Sequence, residues 1–221
     1  MEQEWDLTDI SDGKLYDIDD LVKVGCRDCK GCSACCHNMG NSIVLDPYDI
    51  YQLATGLGQT VEELLATALE LRVVDGIILP DLRMQGDSGS CHFLNTEGRC
   101  SIHKFRPGFC RMFPLGRLYE DQKFRYFIQV KECKAGNRTK VKIRQWLDIP
   151  EYKQYEAFIA DWHFWLKEYQ DQIKQGVLKG EALKQFNLQL LTVFFLTPYN
   201  TQQDFYQQYA QRREAIKALT G

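Results

Sequence analysis

Five cysteines fall within eleven residues, Cys26-Arg-Asp-Cys29-Lys-Gly-Cys32-Ser-Ala-Cys35-Cys36, and His37 follows at once. Thiolates are soft donors, and a Cys-x-x-Cys repeat lets the backbone turn back so that both sulfurs reach one ion about 2.3 Å away. Four more cysteines come later, Cys91, Cys100, Cys110 and Cys133, with His92 beside the first and His103 three residues after the second. The set points to a metal centre with all nine cysteines as expected ligands, enough for two four-thiolate sites with one to spare. The first run reads in two registers. Cys26, Cys29, Cys32 and Cys36 keep the C-x2-C-x2-C-x3-C order of a bacterial ferredoxin, with His37 where proline usually stands. That register, and the adjacent cysteines, favour an iron–sulfur cluster of the 4Fe-4S type. Cys29, Cys32, Cys35 and Cys36 instead read C-x2-C-x2-C-C, and a pair such as Cys29/Cys32 joined to a distant pair, or Cys100-x2-His103, suits zinc.

A disulfide framework is the plain alternative, and three features oppose it. The opening Met1-Glu-Gln-Glu-Trp-Asp6 lacks the basic-then-apolar order of a signal peptide, nine cysteines cannot all pair, and neighbours Cys35 and Cys36 suit each other poorly as a bridge. A reducing, cytoplasmic setting is expected. No membrane span is expected either, because the most apolar run, Leu188 to Leu196, holds Gln189 and Thr192 and is far shorter than the ~20 residues a span needs.

Charge is uneven along the chain. Residues 1–20 hold eight acids against Lys14, whereas residues 99–144 hold thirteen Lys/Arg against Glu120, Asp121 and Glu132. The plain reading is a solvated acidic arm and a solvated basic face. The functional one is that the basic segment offsets thiolate charge or receives an anionic substrate or partner. With a pI near 5.8 and no recognised nucleic-acid motif, nucleic acid is not expected. Arg106 and Arg111 flank Cys110 and are the cofactor-binding candidates: guanidinium groups near sulfur stabilise a dianionic centre and raise a cluster's potential. For Arg106 the competing reading is an ion pair with a surface carboxylate. Phosphate-loop, dinucleotide, zincin and nucleophile-elbow motifs are absent. The C-x3-C-x2-C of radical S-adenosylmethionine enzymes fails at Met39, and no catalytic residue is assigned.

The elements that must position these thiols are short. The expected class is α+β: an acidic lead-in over residues 1–25, an irregular metal-stapled cysteine domain over 26–136, and a helical region over 137–221. Leu15-Tyr16 and Leu21 to Val24 are the packing segments of the lead-in. Asp46-Pro47 opens a helix with Ile50, Leu53 and Ala54 on one face, stopped at Gly56 or Gly58. Thr60-Val-Glu-Glu63 is a capping box for a second helix reaching about Leu71. The two are expected to pack over the knuckle. Residues 72–98 read as irregular, with a strand-like Gly76–Leu79 and a hairpin-like turn carrying Cys91 and Cys100 on its flanks. Phe124–Val130 has strand composition and delivers Cys133. Helices are expected over Val141–Ile149, 151–175, 180–197 and from a cap at Thr201–Asp204 to about Leu219. The aromatic stripe of Tyr155, Phe158, Trp162, Trp165 and Tyr169 reads as core.

The motif series resembles the YkgJ-type cysteine-cluster proteins, a CxxCxxCC family described as zinc- or iron-chelating. The matching residues are Cys29-x2-Cys32-x2-Cys35-Cys36, Cys91-His-Phe-Leu94, Gly98-Arg-Cys100-Ser-Ile-His103, Arg106-Pro107-x2-Cys110-Arg111-x-Phe113-Pro114 and Cys133, covering roughly residues 26–133. The resemblance implies metal binding. It also points to flagellin lysine N-methylases, which carry a related cluster and use S-adenosylmethionine, so methyl transfer to a protein substrate is a second expectation. A structural-zinc module that docks a protein partner is the third.

Overall fold

The computed structural model describes residues 7–26, 32–86, 89–136 and 138–220, with side chains through Lys217. Of the expected ligands, Cys29 lies outside the described residues. So do the first acids of the lead-in, Glu2, Glu4 and Asp6. The class is α+β, with short strands and a helical C-terminal region.

The lead-in forms a single helical turn, α1 (Leu7–Ile10), and a strand, β1 (Leu21–Gly25), in which alternate Val22 and Val24 are buried. The described part of the cysteine knuckle contains a 3-10 turn, Ala34–Cys36. Then α2 (Pro47–Leu57) opens on Asp46 with a reciprocal capping box and proline in its first turn, and closes on Gly58 in the left-handed region, φ 65°. The box at Thr60 opens α3 (Val61–Thr67). This helix ends earlier than the spacing predicts, because Leu69 onward is taken by β2 (Leu69–Val74), paired antiparallel with β3 (Ile77–Leu82). Asp75 and Gly76, both at positive φ (48° and 86°), make the two-residue turn between them.

Two residues each form β4 (Met84–Gln85) and β5 (Ser90–Cys91). A 3-10 turn at His103–Phe105 leads into α4 (Gly108–Met112), and β6 (Leu115–Glu120) pairs with β7 (Lys123–Ile128). Next comes β8 (Thr139–Lys142), where the periodicity predicts helix. Its ladder partner is β1, far away in sequence, and only α5 (Ile143–Leu147) is helical. Every sheet among the described residues is thus a two-stranded one.

The rest is helical: α6 (Tyr152–Lys174), α7 (Gly180–Leu190), a π-helical turn at Leu191–Leu196, and α8 (Phe205–Thr220), whose cap is Asp204 accepting from the Gln207 N–H at 2.8 Å. The aromatic stripe of α6 is core as expected. Trp162 packs edge-on to Phe194 with centroids 5.2 Å apart, and Phe158 to Tyr209 at 4.7 Å. One continuous core runs from Val22 to Ile216. Two polar residues tie the helices to the cysteine half. Asn187, buried in α7, donates to the Gly76 carbonyl and accepts from the Ile78 N–H across 2.7 Å. Tyr155 of α6 sits over Gly108, where a Cβ would come within 2.6 Å of its hydroxyl. The α2 helix reaches the cysteine region through the His103–Phe105 turn and also packs on α8, Tyr48 lying 5.0 Å from Phe205.

Candidate metal centre

Each thiol stands at the end of a piece of backbone fixed by something else. Cys26 follows β1 and is held by the ladder to β8. The knuckle turns at Cys36, whose N–H donates to the Ser33 carbonyl at 2.8 Å, and is tied down where the Asn38 N–H reaches the Gly89 carbonyl at 2.9 Å. Cys91 ends β5 opposite Met84. Cys100 faces Leu94 across a turn organised by Asn95, whose side-chain oxygen accepts from the N–H of Glu97 and of Arg99. Cys110 rides on α4, and the first N–H of that helix, at Gly108, donates to the buried Asp49 carboxylate at 2.7 Å. Asp49 is also the acid of the α2 capping box, so one carboxylate fixes α2 and the Cys110 helix together. Burial raises it to about 6, against the two backbone N–H donors and Arg117.

Six of these thiols, Cys32, Cys35, Cys36, Cys91, Cys100 and Cys110, line one cavity of about 60 Å³. Apart from Arg99, His103 and Arg106, the remaining wall is apolar, including Met39, Ile43, Leu82, Phe109, Phe113 and Trp146. The described cysteines form no disulfide with one another. Among the described residues no three His, Cys, Asp or Glu side chains already form a group that could hold an ion. Cys35 and Cys36 hydrogen-bond to each other, which brings Cys35 down to about 7 and drives Cys36 up; Arg106 adds to the lowering. Burial, then neighbouring thiols, pushes Cys110 and Cys91 up, and burial pushes Cys100 up against the opposing Arg106 charge. Thiols crowded into low dielectric resist ionising together, and a bound cation is what reverses that.

The remaining described cysteines lie elsewhere. Cys26 and Cys133, with Cys32 and Cys35 again, line a smaller adjoining cavity of about 20 Å³. Burial pushes Cys133 up, and the Cys26 and Cys32 thiols add to it. On the other side, an open cleft of about 670 Å³ shares the wall formed by His103, Arg106 and Trp146, and is further lined by Tyr48, Gln52, Lys104, Arg111 and Asp148.

The two candidate arginines separate. Arg106 lines the thiol cavity, contacts His103 Nε2 through Nη1, and has no carboxylate partner among the described residues; its Nε is buried with no acceptor. Arg111 lines only the cleft and is spent on backbone, donating to the carbonyls of Lys104 at 2.6 Å and Leu147 at 3.2 Å. Of the three histidines near cysteines, His103 borders the cavity, and His92 meets the Gln85 side chain at 2.5 Å. Two residues escaped the sequence reading. Asp49 was visible only as an acid in the first turn of the helix that Asp46 caps, and Arg138 only as one charge of the basic segment, although its Nη1 is also buried with no acceptor and its charge bears on Cys133.

No curated protein and no solved structure matches the chain. The family described as "CxxCxxCC: Putative zinc- or iron-chelating domain" matches residues 28–141, just over half of the chain. That span holds every cysteine from Cys29 to Cys133, including all those around the larger cavity, and leaves Cys26 ahead of it. No helix of the described residues is long and apolar enough to cross a membrane. The shared cavity and the matched span agree: the chain belongs to the CxxCxxCC family of zinc- or iron-chelating domains.

Proposed function

We propose that the chain is an iron–sulfur protein in which Cys110 and three of Cys35, Cys36, Cys91 and Cys100 supply the four ligands of a 4Fe-4S-type cluster, with a redox or cluster-dependent role. One observation carries this reading. Six thiols from four stretches of chain, at 32–36, 91, 100 and 110, border a single, mostly apolar space whose lining holds no carboxylate. An all-sulfur donor set selects zinc or iron–sulfur over harder ions. A lone tetrahedral zinc draws its sulfurs to about 2.3 Å and needs no void. The roughly 60 Å³ here has room for several atoms.

When bound, the cluster supplies one-electron chemistry. The chain's own residues do the rest. The thiols lose their protons and draw inward, giving up contacts such as the Cys35–Cys36 hydrogen bond. Phe109, Phe113 and Trp146 keep water from the sulfurs, and Arg106 offsets the thiolate charge from the side that faces the cleft. The cleft is then the approach for a substrate or electron partner, at Lys104 and Arg106. Anaerobically purified protein is expected to be brown, with iron and acid-labile sulfide in equal amounts in the cluster. Colourless protein with stoichiometric zinc would overturn the cluster. It would support instead a zinc-stapled interaction module, the reading favoured by His103 on the same wall at Cys100-x2-His103 spacing.

A further inference from the structure

The described thiols divide into two sets. The larger cavity is lined without Cys26 or Cys133, and the smaller without Cys36, Cys91, Cys100 or Cys110. Cys32, Cys35, Phe113 and Trp146 border both and form the wall between them. The smaller set is assembled by topology. Pairing of β1 with β8 lays Cys26, which follows β1, beside the loop that runs from β7 to β8 and carries Cys133. Cys32 enters from the start of the knuckle.

A second observation lies just outside the cavity wall, where the Arg138 charge bears on Cys133. Arg138 is half-buried, and its Nη1 is buried with no acceptor among the described residues, a donor that an anion would satisfy. Three thiols offer none, and Glu132, the carboxylate on the same cavity wall, does not bond that nitrogen. Three thiolates around a divalent cation carry a net charge of −1 and would supply one. The larger cavity repeats the pattern with Arg106, whose buried Nε also lacks an acceptor. The smaller space, about 20 Å³, suits an ion rather than a cluster.

We propose that the chain carries a second, separate metal site, in which Cys26, Cys32 and Cys133 bind one thiophilic divalent cation, zinc or ferrous iron, beside Arg138. Binding releases the three thiol protons to solvent, and no electron moves. Because Cys26 precedes the family match, this site reaches beyond the matched domain. The inference rests on the reading that the thiols of the larger cavity hold a cluster, and the experiment separates the two. Metal and acid-labile sulfide per chain are measured on the anaerobically purified parent, Cys133→Ser and Cys110→Ser.

The parent is expected to hold cluster iron matched by sulfide plus one equivalent of metal without sulfide. Cys133→Ser should lose that equivalent and keep the sulfide, and Cys110→Ser should lose the sulfide. A parent with two zinc ions and no sulfide, each variant losing one, supports the second site while removing the cluster. Full metal in Cys133→Ser overturns the second site and leaves the cluster standing. A parent without metal overturns both. Should Cys133→Ser fail to fold, Cys26→Ser and stepwise chelation of the parent decide: two release phases support two sites, and a single phase overturns them.

Discussion

The cysteine-rich half and the helical third of this molecule are held together by different means. From α6 to α8 the chain is an aromatic jigsaw: Trp162, Trp165, Phe194 and Phe195 are buried against one another, and no cysteine is present. Before α6 the backbone is broken into four two-stranded sheets, β1–β8, β2–β3, β4–β5 and β6–β7. A two-stranded sheet is marginal alone in water, and pieces as short as β4 and β5 cannot hold their register without help. The helical third has that aromatic packing to hold it, and the thiols sit among the short strands, where a bound metal would tie them together.

Metal removal should therefore split the molecule, and it is the largest effect expected. Structural zinc in small domains contributes on the order of 10 kcal/mol, comparable to the whole stability of a domain. Chelation under reducing conditions should collapse hydrogen-exchange protection around β5, the Cys100 turn and α4, while α6 and α7 keep theirs. Uniform protection before and after chelation would show that the staple is not needed.

Truncation on the other side should do the reverse. Trp162→Ala removes a ring packed against Trp165, Phe194 and Phe195, and core Trp→Ala changes cost about 3–5 kcal/mol. Metal content should be unchanged, and loss of metal in this variant would mean that the two regions cannot be treated apart.

The halves also titrate in opposite directions. His163 of α6 stacks on Tyr119 with centroids 3.5 Å apart, and burial, with Lys167 and Arg117, lowers it to about 4. The unfolded chain protonates a histidine near pH ~6.5, so between there and 4 it binds the extra proton and acid costs stability. In the strand region Asp81 is raised to about 6 by burial, so between ~3.9 and 6 the folded state binds the extra proton and acid adds stability. Unfolding midpoints from pH 7 to 4 should fall more steeply in the parent than in His163→Phe. Parallel curves would remove His163 from the account.

A smaller effect marks the seam. In Gly108→Ala the new methyl meets the Tyr155 hydroxyl, and such overpacking costs about 1–3 kcal/mol. Both halves should feel it, through the Asp49 bond to the Gly108 N–H and through α6. A stability loss confined to one half would mean that the seam lies elsewhere.

What was legible in the sequence follows the same division by range. The caps at Asp46 and Thr60 act over three residues and are where the sequence puts them, whereas the last helix starts only on Asp204, at the end of the expected Thr201–Asp204 cap. The Asp75-Gly76 turn was equally local, yet the helical pattern through Leu71 masked it. The β1–β8 ladder could not be seen, since nothing in Val141 names Val22 as its partner. Cysteine types and spacing were enough to mark the thiols as candidate ligands, but not to divide them. Cys32 and Cys36 lie one turn apart in a single knuckle, and only the packing of Phe113 and Trp146 puts Cys32 on both cavities and Cys36 on one. The service of Asp49 and Asn187 depends on partners dozens of residues away, where no local rule reaches.

The most direct test is the coordination shell of the metal itself, read by X-ray absorption on anaerobically purified protein. The expected result is a first shell of sulfur, with a short metal–metal distance from the larger cavity's cluster. A shell of oxygen and nitrogen, or a protein whose cysteines are paired in disulfides and hold no metal, would contradict it.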